Sequence, residues 1–274
     1  MSKDAHRKIR EPIVEGIFYP DSEEELLYCI ESLSAASAEP RGRAFGICAP
    51  HAAYEKVGGL MASSFLAAAD RKVERVVILG PVHRDFIDRI ILPESAIFRT
   101  PLGESRVDQE AVKALLSCGT IFDRNDIPHL EEQCIEVLLP FSRYHFPEAK
   151  IVPVLLGRDS RAAVTALEKA LFVAFGGDFS GTLLVVSANF SGGGDIAAGK
   201  AEADRIIEHA LRGDSDALVA AKVSREISAC GVGCLAALLG LRPSGKVRLL
   251  GRAATVSDLE KMRGVEYAAL AVDD

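Results

Sequence analysis

"RAFGICAPHAAYEKVGG" (residues 43–59) decides how the rest of this chain is read. An apolar run ends at Pro50, a short segment presents His51, Tyr54 and Glu55, and two glycines lead into the apolar "LMASSFLAAA". The pattern is a strand, a turn and then a helix. A histidine, a phenol and an acid share that turn. The plain reading is a solvated loop; the sharper one is half of a metal site whose other half lies elsewhere in the chain.

Working outward, the same logic recurs. "ERVVILG" (74–80) is a continuous β-branched apolar run, as expected of a strand buried on both faces. It runs into "PVHRDF" (81–86), which carries His83 with Asp85 close behind. "TLLVVSAN" (182–189) runs into "FSGGGD", which brings Asn189, Ser191, glycines 192–194 and Asp195. "DRIILP" and "KIVPVLLG" are further strands, and "EEQCIEVLLPFSRY" is expected to be helical up to about Pro140. Three helical segments and two late strands, "KVRLLGRAAT" and "GVEYAALAV", complete the chain. Strands alternating with helices at this spacing predict an α/β fold: one domain over residues 1–274, a three-layer α/β/α sandwich around a mixed, largely parallel sheet. In such sheets ligands bind beyond the carboxyl ends of the strands.

Composition limits the alternatives. The 274 residues are 49% hydrophobic and 26% charged, as in ordinary globular chains, and long enough to bury a sizeable core. A net charge of −7 argues against a surface built on phosphate contacts, so no nucleic-acid partner is expected. No apolar run is long enough to span a bilayer and the first residues are polar, so no membrane association and a cytoplasmic location are expected. The six cysteines are scattered through apolar segments, the pattern of buried thiols in a reducing compartment.

Two of the six histidines follow strands. A histidine pair suits iron, copper or zinc but needs a third donor. Glu136, Asp258, Cys134, Cys230 and Cys234 are all candidates, and periodicity does not choose among them. Cys230 and Cys234, four apart, share a face of a Gly/Ala/Leu-rich helix, where core thiols are the commoner outcome. The glycine run lacks the lysine and hydroxyl of a phosphate-binding loop, and no serine sits in a nucleophile elbow.

"REPIVEGIFYP", "APHAAYEKVGG", "VVILGPVHRDF", "FRTPLGESRVD", "EEQCIEVLLPF" and "GRAATVSDLEKMRGVEYAAL" follow one another in an order and spacing that resemble the Memo family, whose prokaryotic members are called AmmeMemoRadiSam system protein B. The resemblance implies the fold of class III extradiol dioxygenases, with His51 and His83 as metal ligands. It also implies a third ligand in the segment matching "AATVSDLEK", where Ser257 or Asp258 stands in place of a cysteine. Cys230-Gly231 matches a further family motif near the pocket. The chain departs from the pattern at Gln133 and Gly192, each in place of a histidine, and at Asn189, in place of an aspartate. Glu136, three residues from Gln133, is retained; it and Tyr54 are the residues expected to act on protons or to orient a ligand. With these departures a divalent transition metal (Fe, Cu or Zn) is expected to be weakly held or absent. Two functions stay open: a metal-dependent oxidoreductase of the non-heme, dioxygenase-like kind, and a non-catalytic component that holds a ligand or a partner's segment. The family name implies a radical S-adenosylmethionine protein and an AMMECR-type protein as partners. This chain carries no Cys-x₃-Cys-x₂-Cys motif of its own.

Overall fold

A computed structural model describes residues 8–84, 87–256 and 263–274. In chain order, β1 (Ile9–Arg10) precedes α1 (Glu23–Ala36), β2 (Gly46–Ala49), α2 (Tyr54–Leu66) and β3 (Arg75–Pro81). Next come β4 (Ile90–Leu92), β5 (Ile97–Thr100), β6 (Gly103–Arg106), α3 (Gln109–Leu116), β7 (Phe122–Arg124) and α4 (Asp126–Glu131). A 3₁₀ turn at Glu136–Leu138 leads into α5 (Leu139–His145), β8 (Lys150–Leu156), α6 (Arg161–Phe175) and β9 (Thr182–Ser187). The chain continues through β10 (Gly194–Asp195), α7 (Ile196–Leu211), α8 (Ser215–Val223), α9 (Val232–Leu241), β11 (Lys246–Val256) and β12 (Arg263–Asp273). Ser22, Asp108, Ser160, Asp195 and Asp214 cap α1, α3, α6, α7 and α8, their side-chain oxygens accepting from first-turn amides.

The large sheet runs β11-β12-β2-β9-β3-β8-β4-β7, with β10 alongside the start of β12. Its centre, β2-β9-β3-β8, is parallel, and β12 and β4 flank it antiparallel. These central strands are apolar and almost wholly buried because helices cover both faces. α2 packs on β2 and the β11-β12 hairpin, with α1 and α5 behind it. α9, apolar nearly all round, packs on β9 and β3 and is itself covered by α6 and α8. The mixed α/β sandwich read from the sequence is therefore the observed architecture. Among the described residues no helix is long and apolar enough to cross a membrane.

Two local readings change. The glycine pair does not precede α2 but lies inside its second turn, where a Cβ at Gly58 would fall 2.7 Å from Leu33 Cδ1 of α1. No helix runs from 131 up to Pro140; the proline instead occupies the first turn of α5, where its missing amide costs nothing. The residues before it form a turn that carries much of the site.

Candidate metal centre

β9 lies between β2 and β3, so the segments leaving β2 and β3 emerge on either side of Ser187, the last residue of β9. His51 and His83, each two residues beyond its strand, bring their rings to 5.2 Å between centroids, inclined at 76°. The third member comes from the turn before α9. Gly231, left-handed at φ 77°, ends that turn, and a Cβ there would fall 2.4 Å from the Ser187 carbonyl oxygen. The turn presents Cys230 with its Sγ 3.2 Å from His51 Nε2. Ligand atoms of His51, His83 and Cys230 all lie within 4.8 Å of one another.

The hydrogen bonds behind the imidazoles decide which nitrogen faces inward. Ser187 Oγ donates to the Cys134 carbonyl at 2.6 Å, so toward His51 Nδ1, 2.8 Å away, it can only accept. Nδ1 of His51 therefore carries the proton, and Nε2 offers its lone pair on the Cys230 side. His83 Nδ1 lies 2.6 Å from Glu132 Oε2, and a carboxylate also accepts, so His83 likewise keeps a proton on Nδ1 and turns Nε2 away from Glu132. The other Glu132 oxygen accepts from the backbone amides of His83 and Arg84. Glu132 is buried at 3% exposure, and these bonds hold its carboxyl below the usual carboxylate range despite burial. Two imidazoles and one thiol, each ring fixed from behind, make a donor set that fits a transition-metal ion once the inward ring nitrogens and the sulfur are free of protons.

In the metal-free protein the electrostatics favour a thiolate beside a protonated His83. Burial pushes the Cys230 thiol up, but the two imidazoles beside it outweigh that and bring it down to about 5. Hydrogen bonds to Cys230 and then to Glu132 raise His83 to about 10. His51 is buried and Cys230 half-buried, whereas His83 stands at the solvent edge. The cluster is thus closed on one side and open on the other. Cys134 lies beside it, its Sγ within 4.8 Å of ligand atoms of His83 and Glu132. Its buried thiol is held well above the ordinary range and donates to the Pro81 carbonyl, the behaviour of a core thiol.

Several expected residues stand elsewhere. Glu136, expected as ligand, orienter or base, is 1% exposed and fully engaged. It pairs with buried Arg10 and accepts from Tyr19 Oη at 2.6 Å and from the Ile13 and Val14 amides at 3.0 Å. It fastens the N-terminal segment to the 3₁₀ turn and has no lone pair to spare for a ligand. Tyr54, expected beside it, is 4% exposed and donates to the Val137 carbonyl at 2.7 Å. Burial holds its phenol well above the ordinary value, and its ring packs between those of Tyr19 and Phe141. Ser257 and Asp258 lie outside the described residues, as does Asp85. Among the described residues, the donor standing with the histidines is Cys230.

Asn189 Oδ1 accepts from the His51 amide at 3.0 Å and so fixes the backbone beneath the ring. Gln133 is half-buried in the turn, between Glu132 and Cys134. Gly192 is exposed, and a Cβ there would come 2.2 Å from Ser228 Oγ, so a larger residue would displace the turn that bears Cys230.

Sequence reasoning passed over Glu132 and Ser187 and gave Cys230 a place but no role. The usable signal for Cys230 was the following glycine, which marks a left-handed turn where the chain enters α9.

Comparison with known proteins places the chain in a family. A protein from Thermotoga neapolitana is 32% identical over 264 residues, 89% of this chain and 92% of its own length. One from Desulfurococcus amylolyticus is 30% identical over 279 residues, covering 96% and 98%, and one from Methanococcoides burtonii is 31% identical over 238, covering 84% and 86%. All three carry the name MEMO1 family protein. The family model described as "Memo-like protein" matches residues 10–269, so the chain belongs to the Memo-like family.

Proposed function

We propose that this protein binds one thiophilic transition-metal ion through Nε2 of His51, Nε2 of His83 and Sγ of Cys230, and serves redox chemistry on a small ligand entering beside His83. One observation carries the reading: both imidazoles are held from behind at Nδ1, with their Nε2 atoms toward the same sulfur. A thiolate with two imidazoles favours copper or zinc over iron(II), which is more at home with two histidines and a carboxylate. Of these, copper supplies one-electron chemistry when bound.

The chain's own contributions are binding and orientation. Ser187 and Glu132 keep each Nδ1 protonated, so neither imidazole can turn its ligating nitrogen outward. The thiol, already low, is ionised near neutral pH, whereas His83, raised to about 10, must release a proton to ligate, so metal should bind more tightly as pH rises. His51 closes the inner side to water, and the exposed edge of His83 admits a ligand. Among the described residues no free proton relay stands here: Glu136 and Tyr54 are bound up in packing, and Gln133 and Asn189 do not titrate. That favours electron exchange over ring cleavage of catechols. It also favours a second reading, in which the site carries a metal or ligand for a partner, such as the proteins implied by the family's prokaryotic name.

The test is titration of metal-free protein with Cu(I), Zn(II) and Fe(II) against a chelator of known affinity, followed by dialysis. One equivalent of copper or zinc should remain in wild type and be lost in Cys230→Ser and in His51→Ala. No retained metal in wild type would refute the proposal.

A further inference from the structure

The thiol reaches the histidines through the irregular turn between α8 and α9, and one carboxylate organises that turn. Glu202, on α7, accepts from the backbone amides of Ser228 and Ala229 and from Ser228 Oγ, the Ala229 contact being 2.7 Å. Its second oxygen accepts from the Gly192 amide at 3.3 Å. The same two peptide units are gripped from the other side. Lys222 Nζ donates to the carbonyls of Ser228 at 3.1 Å and Ala229 at 2.6 Å. Asp159, 3.7 Å from Lys222, accepts from the Gly233 amide just beyond Cys230. A carboxylate thus holds the amides and an ammonium holds the carbonyls of the residues immediately before Cys230. Charge-assisted bonds of this kind are stronger and more directional than neutral ones. Gly192, lacking a Cβ, lets the neighbouring loop close onto Ser228 and share the same carboxylate.

We propose that Glu202 is a positioning residue for the Cys230 thiol: by clamping the Ser228–Ala229 amides and the Gly192 amide together, it sets where the sulfur meets the two imidazoles. Glu202 itself touches none of the three donors, and acts only through the backbone that ends in Cys230. The inference rests on the metal-binding reading above, but part of its test does not.

The experiment is a double-mutant cycle on the full chain: Glu202→Ala, Cys230→Ser and the two combined, each titrated with Zn(II) against a competing chelator. A residue acting through the thiol has nothing left to act on once the thiol is gone. Glu202→Ala should lower affinity by about ten- to a hundredfold, as loss of an outer partner does. It should change affinity less than about twofold in the Cys230→Ser background. Glu202→Gln keeps one acceptor for the Ser228 and Ala229 amides, and should recover part of the loss.

A metal-free arm measures alkylation of Cys230 by iodoacetamide in a Cys29→Ser/Cys118→Ser background. Glu202→Ala should change that rate at least about threefold, the signature of a displaced thiol. If wild type binds no Zn(II), the metal-binding reading fails and this arm alone decides the role of Glu202. Equal losses in both backgrounds, or an unchanged affinity and alkylation rate in Glu202→Ala, would overturn the positioning role. Should Glu202→Ala not fold, the same comparisons made with Glu202→Gln decide it.

Discussion

Replacing Glu136 separates a structural role from a chemical one. Its carboxylate is wholly buried against a guanidinium that is itself 1% exposed. Removing one partner of such a pair leaves the other charge stranded, at about 3–5 kcal/mol. Arg10 would keep the carbonyls of Glu11, His129 and Glu132, but no negative charge. Glu136→Gln retains an acceptor for Tyr19 and Val14, each such bond worth about 1 kcal/mol, so its net cost should fall near 3 kcal/mol. Glu136→Ala forfeits those as well and should cost about 5 kcal/mol or more. Against a typical stability of about 5–15 kcal/mol either loss is large. Chemical denaturation followed by circular dichroism should show midpoints falling in the order wild type, Gln, Ala. The Arg10→Met/Glu136→Leu pair, which leaves no charge behind, should recover most of the loss. Metal stoichiometry of the folded Gln variant should match wild type. A Gln variant with an unchanged midpoint but lost metal binding would refute the reasoning and return Glu136 to the site.

Glu132→Gln removes the charge behind His83 but leaves a hydrogen-bonding group, and should weaken metal binding by about ten- to a hundredfold in a competition titration. Folding stability should decline as pH falls from about 6.5 toward 4. His129 is buried with Nδ1 unpartnered, and burial lowers it to about 4, so the unfolded chain takes up a proton that the folded one refuses. The full effect is of order 3 kcal/mol. Half-buried His145 is lowered in the same direction, and His129→Gln should flatten the decline in denaturant midpoints. Brief iodoacetamide treatment near neutral pH, read by peptide mass spectrometry, should modify exposed Cys118 and low-lying Cys230 and spare buried Cys48, Cys134 and Cys234. Bound metal should protect Cys230 alone.

The sheet was legible because its central strands are buried on both faces and so read as unbroken apolar runs, which no surface helix imitates. That placed His51 and His83 at strand ends, and strand order did the rest. Cys230 was harder to read because it lies 179 residues from His51, just before a helix so apolar that any thiol near it looks like core. Glu132 hid in a pair of adjacent acids with no period to distinguish it from a solvated surface. Glu136 misled for the opposite reason: its partner, Arg10, is 126 residues away, so nothing local announced a buried ion pair. Pro140 was read as a terminator, though proline is equally at home in a first turn.

The order β2-β9-β3 has a consequence for when the site can exist. His51, His83 and Cys230 belong to three distant stretches that meet only after the parallel strands have paired and α9 has docked on them. Parallel pairing closes long loops and comes late in folding. An unfolded or half-assembled chain therefore offers a metal only scattered, independent donors. Any ion that binds the finished cluster far better than those scattered donors acts as a latch on the assembled sheet, adding stability in proportion to the logarithm of its free concentration. Scarcity of metal would then be felt first as easier opening of the strand ends around Ser187, before any change in the helices at the periphery.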